Sequence, residues 1–392
     1  MQAPSVAIAH DYLTQRGGAE RVVLAMARAF PGARIYTTLY DPDGTYPEFR
    51  DLDIVTSPLN RFSVLRRHHR LALPLLAPTS NRIEITEDVV VASSSGWAHG
   101  FRARGSKLVY CHSPARWLYL TDEYVGTGAG SRLKSAVVAG LKKPLSAWDL
   151  RAAKTADRYL ANSTVVRSRI EHAYDISADV LPPPHGITSD GTREPVPGIA
   201  EWAPDGYHLV VSRLMPYKNV DKVIGAFATM PDERLAVIGA GPLREELLAS
   251  APANVRLLQH LTDDQMRWMY AGATALVAPS LEDFGLTPLE AGAFGKPVIA
   301  LRGGGYLDTV AEGVTGLFFE KSVPDQIAAA VRAGGQRAWD EQQIHAHVAT
   351  FAEPRFQALL RDAVATVLPP DMQQAFRNQW QDPAGSTPEE TA

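Results

Sequence analysis

The stretch from Pro279 to Gly305, PSLEDFGLTPLEAGAFGKPVIALRGGG, constrains the fold of this chain more than any other. An apolar run at residues 275–278 predicts a buried strand, followed by a loop and by a helix that Thr287 opens. A second apolar run, residues 297–301, predicts another buried strand, which stops at three glycines that a left-handed or crowded backbone requires. Buried strands joined by a helix indicate an α/β fold with a parallel sheet, and such sheets bind ligands at the carboxyl ends of their strands.

The helix start in this segment suits a phosphate group, because its backbone N–H groups are free and the helix dipole is positive there. Two acids, Glu282 and Glu290, lie on either side of it. Glu290 has a purely structural interpretation, since Thr287 and Glu290 have the spacing of a capping box with Pro288 at the first helical position. That interpretation leaves Glu282, on the preceding loop, unexplained.

The two glutamates and the residues between and after them resemble the E-x7-E motif of retaining nucleotide-sugar glycosyltransferases of the GT-B fold, family four. This resemblance extends over about residues 5 to 367. It implies an α/β protein with two Rossmann-like domains that face each other across a cleft, and a C-terminal helix that crosses back to the first domain. It also implies that Glu282 lies near the donor sugar and that Glu290 binds the ribose hydroxyls. The other donor-binding positions that it implies in this segment are Phe284, Gly285, Leu286 and Thr287.

The same resemblance, together with the distribution of Pro and Gly, predicts the domain boundaries. We expect a first, acceptor-binding domain over residues 1–185, a Pro- and Gly-rich linker over 186–206, and a nucleotide-sugar-binding domain over 207–351. A helix over about residues 352–368 is the one expected to cross back, and residues 369–392 are expected to form a polar tail.

Two further groups of residues resemble phosphate-binding features of the family. Arg213 and Lys218 follow a predicted strand and match the family's diphosphate-binding pair, in which Arg offers a planar fork to phosphate oxygens and Lys a point charge. Gly17 and Gly18 follow the first predicted strand, where the family has a glycine loop against the donor phosphates and sugar. An ordinary tight turn is the alternative interpretation of the two glycines.

Residues 110–119, YCHSPARWLY, resemble a stretch found in bacterial polysaccharide mannosyltransferases of this family. The resemblance implies that His112 faces the donor sugar and that Arg116 holds the sugar or an anionic group of the acceptor. A histidine at a strand end is otherwise most often a hydrogen-bonded structural residue. Ala115 departs from the family pattern, which often has Met or Phe at that position of the acceptor pocket.

Positive charge is concentrated in the first half of the chain, although the net formal charge is −4. Residues 54–158 contain 16 Lys and Arg against 7 Asp and Glu, and residues 61–78 alternate cations with leucines. Two interpretations of residues 61–78 stay open. They form either a solvated helix face and a loop kinked by prolines, or a contact with an anionic membrane surface or lipid diphosphate, in which Arg66 and Arg67 bind the acceptor. Nucleic acid is not expected as a partner, because no zinc spacing or RNA-binding motif accompanies the cations.

Neither a metal nor a cofactor is expected. D-x-D sequences occur at residues 41–43 and 51–53, but turn residues explain the first and chance spacing the second. The single cysteine, Cys111, fits a reducing compartment, and we find no secretory segment or membrane-spanning apolar run. A cytoplasmic location is therefore expected, and the basic segment leaves a position at the inner face of the cell membrane open.

The resemblance implies an enzyme, a retaining hexosyltransferase that moves mannose from GDP-mannose to a lipid-linked or glycan acceptor in surface polysaccharide or glycoconjugate synthesis. Its mechanism would be a front-face transfer without a protein nucleophile. One alternative is a retaining transferase that uses a UDP-sugar. Another is a non-catalytic nucleotide-binding protein or an oxidoreductase with two Rossmann-like domains. The sequence leaves open the donor base and sugar, the acceptor and linkage, and the oligomeric state.

Overall fold

The computed structural model describes residues 4–119, 131–202 and 204–380, with the backbone alone at 69–71, 73–74, 117 and 131–141. The strands are β1 (Val6–His10), β2 (Arg34–Thr37), β3 (Ile54–Thr56), β4 (Glu84–Ile85), β5 (Val89–Ser94), β6 (Arg102–Ala103), β7 (Ser106–Cys111), β8 (Arg158–Ala161), β9 (Ala178–Val180), β10 (Tyr207–Val211), β11 (Leu235–Ile238), β12 (Val255–Leu258), β13 (Ala273–Ala278), β14 (Val298–Leu301) and β15 (Gly316–Phe319). The helices are α1 (Gly18–Ala29), α2 (Ser63–Arg67), α3 (His69–Ser80), α4 (Arg116–Tyr119), α5 (Ser131–Ala153), α6 (Thr164–Tyr174), α7 (Val220–Ala228), α8 (Arg244–Ser250), α9 (Asp263–Gly272), α10 (Leu286–Ala293), α11 (Tyr306–Thr309), α12 (Pro324–Gly335), α13 (Glu341–Ala349), α14 (Glu353–Val367) and α15 (Pro370–Trp380).

The chain forms two compact units, which we describe separately. Unit 1 comprises Met1–Asn162, Val166–Pro182 and Pro354–Ala392, and unit 2 comprises Ser163–Val165 and Pro183–Glu353. Each unit is an α/β structure built on a parallel sheet. No helix in the described part of the chain is long and apolar enough to cross a membrane.

The sheet of unit 1 has the strand order β3-β2-β1-β5-β7-β8-β9. Its central strands are apolar along their whole length, as in β1 with the sequence VAIAH, because helices cover both faces of a parallel sheet. Helix α14 belongs to this unit and buries Phe356, Leu360 and Val364 in its core. Its carboxyl end accepts a hydrogen bond at the carbonyl oxygen of Val367 from Ser106 Oγ, at 2.6 Å.

The expectation of a polar tail from residue 369 is wrong for residues 370–380, which form helix α15. Phe376 on this helix is 1% exposed, and both Phe376 and Trp380 pack against Phe30, with ring centroids 6.2 and 5.4 Å apart. Two aromatic side chains four residues apart lie on one face of a helix, so this polar segment has enough apolar area to dock on the core. Residues 381–392 lie outside the described residues.

The sheet of unit 2 has the strand order β12-β11-β10-β13-β14-β15. Residues 186–206, expected as a linker, belong to this unit and contribute Val196, Ile199 and Trp202 to its core. The described residues of this segment form one short 3-10 helix, Ala200–Trp202, and the apolar residues between its prolines and glycines are buried against β10 and α9. The segment is therefore an irregular part of unit 2.

Both sheets have a topological switch point. In unit 1 the chain leaves β1 towards β2 on one side and later returns to β5 on the other, and in unit 2 β10 lies in the same way between β11 and β13. The loops after such paired strands separate and leave a crevice at the carboxyl edge, which is where open α/β sheets bind ligands. A ligand-binding site is therefore expected at the loops after β1 and β5 and at the loops after β10 and β13.

Candidate functional site

In unit 2, the carboxyl edge of the sheet brings Lys218 and Glu282 together. Lys218 lies in a short turn after β10, and Glu282 lies on the loop after β13. Lys218 Nζ contacts Glu282 Oε1, which also accepts a hydrogen bond from Ser280 Oγ at 2.6 Å. The lysine side chain is 9% exposed and the glutamate side chain 24%, so the charge pair is largely desolvated but can be reached from solvent. Such a fixed pair suits a charged ligand group.

The loops that carry this pair are tied to each other by Asn219. Its backbone is left-handed, with φ at 53°, a conformation that Asn adopts more readily than most residues. Its side-chain Nδ2 donates a hydrogen bond to the carbonyl oxygen of Pro279 at 3.1 Å. The position of Lys218 relative to Glu282 is therefore set by backbone contacts as well as by the ion pair. The sequence analysis missed Asn219 and Ser280, although each adjoins a residue that it named.

The glycine run 303–305 packs against the loop of Glu282. Gly304 has a φ of +59°, and a Cβ atom there would lie 2.4 Å from the carbonyl oxygen of Glu282. A Cβ atom on Gly305 would lie 2.2 Å from the Cα of Phe284, and the Gly305 N–H donates to the Glu282 carbonyl oxygen at 2.8 Å. The prediction that these glycines meet a left-handed or crowded backbone is confirmed. They hold the loop of Glu282 in place.

Helix α10 begins two residues earlier than the capping box predicts, at Leu286 instead of Pro288, and the capping-box interpretation of Glu290 is wrong. Gly285 is the N-cap, with a φ of +88° and no side-chain cap, so Thr287 is the second helical residue. A Cβ atom on Gly285 would lie 2.6 Å from the ring of Tyr306, so a residue with a side chain, such as Thr, does not fit at this N-cap position. The carboxylate of Glu290 instead accepts a hydrogen bond from Tyr270 at 2.7 Å.

Tyr270 is a further residue that the sequence analysis missed, since nothing near it in the chain points to Glu290. Burial and the neighbouring Glu290 carboxylate raise the pKa of the Tyr270 phenol well above its ordinary value. The phenol therefore remains a hydrogen-bond donor and fixes the orientation of the carboxylate.

The remaining donor-binding candidates of unit 2 differ in exposure. Arg213 donates a hydrogen bond to the Tyr217 hydroxyl at 2.8 Å, and Lys218 Nζ lies 5.1 Å from the centroid of the Tyr217 ring. Phe284 is 4% exposed and is part of the unit 2 core, and Leu286 is half-buried. Tyr217 thus links the two cations, whereas the side chain of Phe284 serves packing.

In unit 1, Asp11 organises the edge of the sheet between β1 and β5. Its carboxylate accepts hydrogen bonds from the backbone N–H groups of Ser95, Trp97 and Ala98, at 2.5, 2.7 and 2.6 Å. The loop after β5 is thereby wrapped around one buried side chain that is 3% exposed. The sequence analysis did not single out Asp11, although its place directly after the first strand was a signal.

His112 follows β7 at the same edge and is 9% exposed. Its Nε2 atom lies 2.8 Å from Ser93 Oγ. Burial, together with the nearby His10 and Arg116, lowers the pKa of His112 to about 3, so the imidazole is neutral at ordinary pH. The Oγ of Ser113, the next residue, is buried and has no hydrogen-bond partner among the described residues. Arg116 begins the short helix α4 and is half-buried.

The glycine loop of unit 1 encloses a buried acid. Gly17 is the N-cap of α1 and Gly18 its first residue. A Cβ atom on Gly17 would lie 2.5 Å from Glu20 Oε2, so the carboxyl group of Glu20 packs directly against this glycine. Glu20 is 1% exposed, its Oε2 has no hydrogen-bond partner in the described part of the chain, and burial raises its pKa. Glu20 is a further residue that the sequence analysis missed.

Arg66 and Arg67 line a cavity of about 530 Å³ beside the loop after β2. Asn60 connects its walls, because its Oδ1 accepts a hydrogen bond from the Tyr40 N–H at 2.8 Å and its carbonyl oxygen accepts one from Arg66. The other lining residues are Asp41, Pro42 and Asp43. Helix α3 is continuous across both of its prolines, so the expected kinked loop in residues 61–78 is not seen.

Two units, each with a parallel sheet and a topological switch point of the kind that binds ligands, define a protein of the two-domain Rossmann-like class. A solved structure with the same fold is that of Anabaena Alr3699/HepE in complex with UDP and glucose. It aligns over 93% of this chain and 100% of its own length, with a TM-score of 0.66 and 15% identical residues. The likeness shows that the fold is GT-B.

The sequence comparisons find glycosyltransferases that are similar to parts of this chain. Residues 201–333 match the model of the glycosyl transferases group 1. The GDP-mannose-dependent alpha-(1-6)-phosphatidylinositol monomannoside mannosyltransferase of Mycolicibacterium smegmatis is 30% identical over 46% of this chain, and the match spans 56% of that relative. Human alpha-1,3/1,6-mannosyltransferase ALG2 is 26% identical over 83% of this chain and 85% of its own length. The chain therefore has the GT-B fold that its motifs predicted, and residues 201–333 are similar to the glycosyl transferases group 1.

Proposed function

We propose that the protein is a retaining hexosyltransferase that transfers mannose from GDP-mannose to a lipid-linked or glycan acceptor. The reaction would serve the synthesis of surface polysaccharide or glycoconjugate. The observation that carries this proposal is the pair of Lys218 and Glu282 at the switch point of unit 2, beside the start of α10.

The proposed roles follow from the chemistry of the side chains. Arg213 and Lys218 bind the diphosphate of the donor and stabilise the charge that grows on it as the glycosidic bond breaks. Glu282, oriented by Ser280 and Lys218, accepts hydrogen bonds from the hydroxyls of the donor sugar. Glu290, oriented by Tyr270, binds the ribose.

Retention at the anomeric carbon would come from a front-face route, in which the departing phosphate takes the proton of the acceptor hydroxyl. Such a route needs no protein nucleophile. The cations beside the diphosphate replace the metal ion that other sugar transferases use, so we expect turnover to persist in a chelator.

Two comparisons bear on the donor. The names of the two mannosyltransferase relatives favour mannose, and the first of them names GDP-mannose. The solved structure with UDP and glucose favours a UDP-sugar, which we keep as the second candidate.

The acceptor is proposed to contact unit 1 through Arg116, Arg66 and Arg67. The cavity beside the last two has exposed apolar neighbours in Phe62 and Val64, at 60% and 59% exposure. Cations next to exposed apolar side chains suit an anionic lipid surface or a lipid-linked phosphate. This is the basis for proposing a lipid-linked acceptor and a peripheral contact with the membrane.

The test is a thermal-shift panel with GDP, UDP, ADP, dTDP and NAD at equal concentrations. A ligand at 100 times its dissociation constant adds about 2.7 kcal/mol to the free energy of unfolding. We expect GDP to give the largest shift, followed by turnover of GDP-mannose with and without chelator and assignment of the product anomer by NMR. A shift with UDP alone would show that the donor is a UDP-sugar and not GDP-mannose. A product with inverted configuration at the anomeric carbon would contradict the retaining mechanism.

A further inference from the structure

Three buried polar side chains lie side by side at the carboxyl edge of the unit 1 sheet, on three neighbouring strands. His10 ends β1, Ser93 lies opposite it in β5, and His112 directly follows β7. Their exposed fractions are 2%, 0% and 9%. His10 Nδ1 lies 3.0 Å from both the carbonyl oxygen and the Oγ of Ser93, and Ser93 Oγ lies 2.8 Å from His112 Nε2.

The carbonyl oxygen of Ser93 fixes the direction of these hydrogen bonds. A carbonyl oxygen only accepts, so the Nδ1 atom of His10 must carry a proton and donate it. The Oγ of Ser93 lies at the same distance from that nitrogen, so it also accepts a hydrogen bond from His10 Nδ1. Its own hydroxyl proton then points elsewhere.

The hydroxyl proton of Ser93 has one acceptor within reach in the described part of the chain, which is His112 Nε2. Leaving the proton without an acceptor would be unfavourable, since Ser93 is 0% exposed and a buried donor without a partner loses its hydrogen bonds to water. Nε2 of His112 therefore accepts, and a neutral imidazole that accepts at one nitrogen holds its proton at the other. His112 is neutral, because burial lowers its pKa to about 3.

We propose that His10 and Ser93 are positioning residues that hold His112 in the tautomer with the proton on Nδ1. His112 then acts on a bound sugar as a hydrogen-bond donor to an oxygen atom, and it does not act as a base. The Nδ1 atom has no hydrogen-bond partner among the described residues, so its proton is available to a ligand. That the ligand is a sugar rests on the proposed function. The assignment of the tautomer is independent of the proposed function.

The tautomer can be measured without any substrate, on the full chain labelled with ¹⁵N-histidine. Long-range ¹H–¹⁵N spectra distinguish a protonated from an unprotonated ring nitrogen, and a His112→Gln variant identifies the signal of His112. We expect a protonated Nδ1 and an unprotonated Nε2 in the native protein. In Ser93→Ala the proton should move to Nε2, which is the preferred form of free neutral imidazole, and Ser93→Thr should keep it on Nδ1. A proton on Nε2 in the native protein would overturn the proposal.

Two substitutions of His10 test the positioning role. Asn places an N–H near the position of Nδ1, whereas Gln places it near Nε2, so His10→Asn should retain the native kcat and His10→Gln should lower it. We expect kcat to fall on the order of tenfold in His10→Gln and Ser93→Ala, as for the loss of one hydrogen bond, with the KM of the donor little changed. His172→Asn, at an exposed histidine of α6, is the control.

The outcomes separate the two proposals. Equal turnover of the folded His10→Asn and His10→Gln variants would show that the Nδ1 contact does not matter. Absence of sugar transfer with every donor and acceptor, while the spectra show His112 with its proton on Nδ1, would defeat the proposed function and leave the tautomer assignment standing.

Discussion

The carboxyl edges of the two sheets have the same kind of switch point but differ in electrostatic character. In unit 2 the edge presents an ion pair, Lys218 and Glu282, that solvent can reach. In unit 1 the acids and histidines are buried: the Asp11 carboxylate accepts three backbone N–H groups, and His112 is neutral because burial lowers its pKa to about 3. One edge suits a charged ligand group, and the other suits hydroxyls that need a hydrogen-bond donor of fixed orientation.

The largest expected effect is on the charged edge. Lys218→Ala and Glu282→Ala should each lower kcat by roughly 10²- to 10³-fold, the range found when one electrostatic contact to a developing charge is removed. Steady-state turnover of the donor is the measurement. Lys222→Ala and Glu245→Ala are matched controls, because these side chains are exposed on α7 and α8. Full activity in both test variants would contradict the role of the pair and the contrast between the edges.

Substitutions at the buried edge of unit 1 should lower stability. Asp11→Asn leaves one oxygen to accept the three backbone N–H groups, so the free energy of unfolding should fall by about 1.5–3 kcal/mol. Urea unfolding measures it, with Asp51→Asn as the exposed control. A loss below about 0.5 kcal/mol would mean that Asp11 does not hold the loop after β5.

The smallest effect is expected from Glu20. Burial raises its pKa above the ordinary value of 4.5, so the folded chain holds this proton at pH values where the unfolded chain has lost it. Stability should therefore fall as pH rises from that ordinary value through the raised one, and Glu20→Gln should flatten this dependence. Unfolding free energies between pH 4.5 and 8 give the comparison. The same slope in both proteins would show that Glu20 ionises without cost and would contradict its raised pKa.

Much of the charged edge could be predicted from the sequence, because its signals are local. Glu282, the glycines at 303–305 and the cations at 213 and 218 each lie within a few residues of an apolar strand, and strand ends determine where a ligand can bind. The buried edge of unit 1 could not be predicted in the same way. Asp11 and Ser95 are 84 residues apart, and only the pairing of β1 with β5 brings them into contact.

The sequence by itself determined the α/β class, because apolar runs of strand length that alternate with helices form a parallel sheet whose two faces are covered by helices. It also determined the residue types at the charged edge. Tertiary structure decided which groups are partners: Tyr270 for Glu290, Ser93 for His112, and the core of unit 1 for α15. Those contacts depend on burial and on the register of distant strands, and no local pattern of residues encodes either.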